Sequence, residues 1–499
     1  MKKSNLYLLI LFFIISFSSC ENEMNYKIIV PEIQAENSIR NILAYVTENK
    51  IVDTLDVVIK NDSILLITKP IQASATPIDI SKVKIDLEFD GDYSVTPSLN
   101  EPIDLTNPVN LSITFPGGKT KTFVVKAVVS KPYIIYPVFN KNTSLLWEKF
   151  GNDLNLRYPS EVKGMTVVGD YLLVQDVGLD PNANRKIKVY DKLTGAFVKE
   201  IANYADNMDQ PRTYVFSLEA DDAGHFASMR INSGGAGFMM DYYENIDAKP
   251  KLILNCPTNK VPLHTGRKVR IIGNLKEGKA YVYATVAGYL WGTQIGNAQY
   301  CVWEFENGIV KDEVPTIVNY FGTTGWWSAS VQQLSLDDPT LYVMYNNELN
   351  YPSDPIDTWE KITPAAHFEY YTPGSGVEPV KLNALNHKYR ILDNRVFEVN
   401  GAKLMAILHQ SYSSAGNMSL KIMDITDPNR LSMKPGDTNY DKFAFFESAL
   451  VSSKPNNDAR YGSVAIDVQN SIAHVYVYFP AQRKEDAMIQ AYKINVVEE

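Results

Sequence analysis

The chain has 499 residues, 45% of them hydrophobic and 21% charged, with a formal net charge of −9. That length exceeds what one core fills, so two or more domains are expected, and the composition excludes a disordered or fibrous chain. The acidic balance and the lack of any basic block exclude nucleic acid and anionic lipid as partners.

The N-terminus reads as a processing segment. Lys2 and Lys3 precede an almost unbroken apolar run from Leu6 to Phe17, and "FSSC" ends it at Cys20. The run is too short to span a bilayer comfortably and no stop-transfer pattern follows. Residues 1–19 resemble a bacterial lipoprotein signal with a relaxed lipobox, Phe17-Ser18-Ser19-Cys20. The resemblance implies lipidation of Cys20, with residues 20–30 as a lipidated tether, and anchoring through acyl chains only. The acidic "ENE" after Cys20 resembles the tag that exports Bacteroidetes lipoproteins to the cell surface, which implies an outer-membrane, outward-facing protein. The alternative is an ordinary signal peptide with a chance cysteine.

Residues 31–129 alternate as strands do. "TLDVVIK", "SILLITK", "KVKIDLEF", "VNLSITF" and "KTFVVKAVV" are β-rich pieces punctuated by Pro, Asn and Gly. "FPGGKTKTF" is a hairpin signal, because Gly117-Gly118 supplies positive φ at the turn. This spacing predicts a β-sandwich. The stretch "DLTNPVNLSITFPGGKTKTFVVKAV" resembles the Ig-like N-terminal modules of Bacteroidetes surface lipoproteins, implying a spacer without chemistry of its own. Residues 130–144, with two prolines, are expected to be a semi-rigid linker.

Beyond it, residues 145–499 carry a degenerate repeat. "KGMTVVGDYLLVQD…RKIKVYDKLTGAFVKEI" (163–201) has four strand-like pieces with turns at Gly169-Asp170 and Thr194-Gly195. The plan recurs over 214–255 and 267–313, and less regularly near 328–382, 389–433 and 443–493. Four strands per unit, repeated every roughly 45–60 residues, predict a β-propeller. The last copy offers only three strands, while "LLWEK" (145–149) stands unclaimed before the first. A ring closes if that early strand completes the last blade and removes its exposed edge. The count is then six blades, with seven as the alternative because the fourth copy is long and irregular. The whole chain is thus expected to be all-β, an Ig-like sandwich followed by a propeller. That order resembles lipoproteins of unknown function encoded with Bacteroidetes polysaccharide-uptake systems.

Catalytic motifs are sparse. GxSxG, GxxxxGK[ST] and HExxH are all missing, and the glycines of "NSGGAGF" (232–238) precede no lysine. The six histidines are scattered, with His225 and His474 inside strand patterns. Asp180, Asn182 and Asn184 match the first positions of a calcium loop, but Arg185 stands where the loop needs glycine. A turn is the preferred reading there, so neither a metal nor another cofactor is expected. Cys256 and Cys301 have no CxxC neighbour, which leaves a disulfide or two buried thiols.

Aromatic residues beside glycine stand out instead. Tyr289 and Trp291 lie in "AGYLWGTQ", Trp326 and Trp327 in "GWWSAS", Trp359 in "DTWEKI" and Tyr412 in "HQSYSSAG". In strands, neighbours point to opposite faces, so Trp326 and Trp327 cannot share one core. Exposed rings at a propeller mouth suit sugar C–H faces, with amides and arginines for the hydroxyls. The expected function is therefore non-catalytic capture of a poly- or oligosaccharide for an uptake system, with outer-membrane uptake proteins as further partners. A propeller hydrolase or lyase acting on glycans is one alternative, and a protein-docking scaffold another. Clustered channel carboxylates would favour the enzyme.

Overall fold

The structure is a computed structural model. It describes residues 39–48, 51–70, 72, 78–89, 91–115, 117–130, 134–160, 162–176, 186–203, 215–231, 237–286, 289–290, 293–294, 299–319, 329–346, 366–371, 380–381, 389–411, 417–433, 435–452 and 461–499. Two compact units divide the chain, Met1–Ile135 and Tyr136–Glu499. Both are built from β-strands.

In the first unit, period-2 alternation sets the burial. Ser63–Ile67 buries Ile64 and Leu66, and Val109–Thr114 buries Leu111 and Ile113. Seven strands form one hydrogen-bonded path rather than two separate sheets. Ile51–Lys60 is shared: its first half pairs with Ile39–Glu48 and its second half with Ser63–Ile67. The path continues through a parallel pairing of Ser63–Ile67 with Thr120–Val128. Apolar residues from both halves, including Ala44, Leu55, Leu66 and Phe123, share one core.

In the second unit, six antiparallel sheets of four or five strands follow among the described residues, besides the two-stranded hairpin of Tyr289–Leu290 and Thr293–Gln294. Sheet I holds Met165–Val168, Tyr171–Asp176, Lys186–Asp191 and Phe197–Ala202. Sheet II holds Val215–Ala220, Phe226–Arg230, Phe238–Tyr243 and Lys251–Cys256. Sheet III runs through Thr265–Gly273, Lys279–Val286 and Gln299–Glu306, the last pairing with both Ile309–Val310 and Thr316–Asn319. Sheet IV holds Ser330–Gln333, Leu341–Asn346, Ala366–Tyr371 and Val380–Lys381. Sheet V holds Tyr389–Val399, Ala402–Ser411, Met418–Asp424 and Phe446–Glu447. Sheet VI is Ser463–Gln469, Ile472–Phe479 and Met488–Glu498, completed by Phe139–Phe150.

The first strand of each sheet touches the first strand of the next, and that of sheet VI touches that of sheet I. The result is a β-propeller-like ring. Apolar residues fill the spaces between neighbouring sheets: Leu404, Leu420 and Ile422 of sheet V pack with Val475 and Val477 of sheet VI. Trp303 of sheet III stacks on Phe238 of sheet II, with centroids 4.6 Å apart.

The closing pairing is the one expected from "LLWEK", but it is longer. Phe139–Phe150 pairs with Met488–Glu498 over its whole length, from Phe139 opposite Glu498 to Phe150 opposite Met488. The linker expected over 130–144 therefore ends too late. Asn140, Lys141 and Asn142 read as loop residues, yet their backbone completes the ladder opposite Val497, Val496 and Asn495. Trp147 fixes the join from the side, because its buried indole N–H donates to the Lys192 carbonyl of sheet I at 3.0 Å.

Candidate functional site

Propeller inner strands often bring polar residues to the axis, and here they meet across the ring. Alternation puts Lys268 and Arg270 on one face of the first strand of sheet III, and Asp393 and Arg395 on one face of the first strand of sheet V. Arg395 makes a bidentate pair with Glu219 of sheet II, one arm at 2.7 Å. Arg270 reaches Asp393 at 2.7 Å, and Lys268 lies 3.3 Å from the same carboxylate. Lys268 also donates to the Gly462 carbonyl before sheet VI at 2.9 Å. Sheets II and V, and sheets III and VI, are not neighbours, so these contacts pass through the centre.

The cluster is buried, and its electrostatics follow from that. Burial alone would raise the Asp393 carboxyl, but Lys268, Arg270 and Arg395 outweigh it and hold the group well below the usual range. Burial brings Lys268 down to about 8, against the pull of Asp393. The Val464 amide donates to Asp393 at 2.8 Å, so the carboxylate is fully engaged.

Beside this cluster, a cavity of about 400 Å³ opens at the end of the ring where first and second strands turn into each other. Glu219, Arg270, Gln332 and Arg395 line it along with Tyr283, Asp222 and Glu398. Tyr283 donates to Gln333 at 2.7 Å. Burial, reinforced by Asp221 and Glu219, pushes the Asp222 carboxyl up, although the Gly273 amide donates to it at 2.7 Å. The lining thus mixes donors, acceptors and one aromatic ring. Its size lies in the range of small-molecule sites.

The opposite end, where first strands begin, is cationic and aromatic. The Lys163 ammonium lies 4.3 Å from the Phe216 ring centre and 5.0 Å from that of Tyr461. The Arg267 guanidinium lies 4.8 Å from the same Phe216 ring. Such stacking offsets part of the cost of burying the charges.

Cys20, Trp291, Trp326, Trp327, Trp359 and Tyr412 lie outside the described residues, as do Asp180, Asn182 and Asn184. Tyr289 lies in a short hairpin, its backbone paired with Gln294. Cys256 and Cys301 are buried free thiols. His225 binds Asp221 at 2.9 Å through Nδ1, a structural contact beside a turn. No group of metal-ligating side chains occurs among the described residues. Nor is any helix there long and apolar enough to cross a membrane. The axial cluster was missed. Its signal was a charged residue inside the first strand of a copy, as in "VFSLEA", "RKVRIIG" and "ILDNRVF".

No family model and no curated protein matches the chain. Among solved structures, a Bacteroides fragilis protein described as secreted is 19% identical, over 19% of this chain and 97% of its own, with a TM-score of 0.15. A Thermus thermophilus protein described as an oxidoreductase (glucose dehydrogenase) is 9% identical over 71% of this chain and 100% of its own, TM-score 0.34. A protein described as a gluconolactonase is 9% identical over 72% of this chain and 95% of its own, TM-score 0.35.

Proposed function

We propose that this protein is a non-catalytic glycan-capture lipoprotein of the outer membrane, anchored through Cys20 and serving an uptake system. In this reading the first unit is an Ig-like spacer and the second a six-bladed propeller whose loops hold the sugar chain. The observation that carries the reading is topological. Residues 287–298, 320–328, 347–365 and 412–416 carry Tyr289, Trp291, Trp326, Trp327, Trp359 and Tyr412. Every described strand that flanks these segments ends or begins where the first strands begin. Those strand ends lie at the same end of the ring as Lys163, Phe216, Arg267 and Tyr461, a cationic and aromatic surface suited to a sugar chain.

The axial acids support a binder over an enzyme. Glu219 and Asp393 are held by cations, whereas glycoside hydrolysis needs two carboxylates free to reach one sugar bond. On the side of an enzyme stands Asp222, a raised carboxyl in the turn-end cavity near Glu398. Native-gel retardation against a panel of neutral and acidic polysaccharides tests the proposal, with release of reducing ends measured in parallel. Retardation without release is expected. Release lost in Asp222→Asn would establish the enzyme, and neither effect across the panel would favour the scaffold.

A further inference from the structure

We propose that the axial cluster of the ring binds a small monovalent anion, either free chloride or the carboxylate of a larger ligand. Two independent accounts lead there, one of charge and one of hydrogen bonds.

The charges do not balance. Paired among themselves, Lys268, Arg270 and Arg395 meet Glu219 and Asp393, which leaves one cation in excess within the buried cluster, while Asp222 and Glu398 line the cavity that opens beside it. An uncompensated charge in such surroundings is costly, and a bound counter-ion removes the cost.

The hydrogen bonds are also lopsided. Arg270 Nε, Gln332 Nε2 and Asn394 Nδ2 are buried N–H donors without an acceptor among the described residues. All three residues are more than nine-tenths buried, at 5%, 5% and 0% exposure. They sit in one network. Arg270 donates to the Asn394 carbonyl at 2.9 Å, Ser330 donates to Asn394 Oδ1, and the Val396 amide donates to Gln332 Oε1 at 3.0 Å. The Val396 amide can only donate, which fixes the Gln332 NH₂ as its idle end, and with Ser330 donating to Asn394 Oδ1 the Asn394 NH₂ is idle too. The acceptors of the cluster are all used: Asp393 takes Arg270, the Asn394 and Val464 amides and Ser463. What is missing is an acceptor with negative charge.

The ring's two ends place the anion along the axis. Asp222 and Glu398 stand at the turn end, while Lys163 and Arg267 stand at the other. An anion between them is repelled from the first and attracted toward the second.

Crystals of the whole protein grown or soaked in sodium bromide provide the test. An anomalous peak within hydrogen-bond reach of Arg270 Nε and the Gln332 or Asn394 amide is expected. In solution, Tm should rise and saturate with bromide or chloride, relative to sodium gluconate at equal ionic strength. Gln332→Glu keeps the acceptor for the Val396 amide and places a carboxylate where the anion would be. Its Tm in gluconate should match or exceed that of the wild type and ignore halide. Loss of the bromide peak on adding galacturonate identifies a ligand carboxylate as the occupant, and its persistence identifies resident chloride. A site filled by water, without an anomalous signal and with equal Tm in all three salts, overturns the proposal. Should Gln332→Glu not fold, the wild-type diffraction and melting arms decide alone.

Discussion

Asp393 is the residue on which the axial cluster turns. It is the acceptor for Arg270, lies beside Lys268 and takes the Val464 amide. Replacing it by alanine strands those cations in a buried site and should cost about 3–5 kcal/mol, seen as a fall in denaturant midpoint. Lys268→Met removes the excess charge instead, so its cost should be clearly smaller in the same measurement. The pH dependence follows with a definite sign. Asp393 and Glu447 both have carboxyls lowered in the folded state, Glu447 to about 2 through the hydrogen bond from His409. Their stabilisation is present above the ordinary carboxylate range and is lost as pH falls toward the folded values. Thermal melts should therefore drop below about pH 4.5, and Asp393→Asn should flatten part of that drop. None of these roles was legible in the sequence. A charged residue in a strand pattern looks the same whether it faces solvent or an opposite strand, and partners such as Arg395 and Glu219 are 176 positions apart.

Elements were more legible, because alternation and turn residues are local. The hairpin turns at Gly117-Gly118, Gly169 and Gly195 all carry positive φ, as the sequence implied. Closure by a strand near Leu145 could be read from a deficit of strands in the last copy. Its true start at Phe139 could not, since Asn and Lys in a ladder edge resemble loop. Two tests belong at this scale. A protein lacking residues 1–135 should retain the propeller's melting temperature, whereas one lacking 1–150 should lose several degrees or fail to melt cooperatively. Equal values would refute the closing role of Phe139–Phe150. The sheets also approach closely where a β-carbon added at Gly164 would lie 2.5 Å from the Leu218 amide nitrogen. Gly164→Ala should therefore cost about 1–3 kcal/mol by overpacking, measured by chemical denaturation.

At the scale of the molecule, the division at Ile135 and Tyr136 predicts two unfolding transitions in calorimetry, one for each unit. The layout of a β-rich unit followed by a ring was readable from the change in repeat texture alone. The ligand was not. Aromatic residues beside glycine carry no record of what would lie on them.

The ladder between Phe139–Phe150 and Met488–Glu498 also imposes an order in time. Glu148 and Gln490 face each other across 342 positions. At common elongation rates the earlier strand leaves the ribosome roughly 20–70 s before its partner exists. During that interval Trp147 can pack on sheet I but its strand has no ladder partner, because Met488–Glu498 is still missing. Contacts this distant in sequence are slow to form. The nascent protein is therefore an open arc with a waiting β-edge, and its main hazard is pairing of that edge with another chain before its own C-terminal strand arrives.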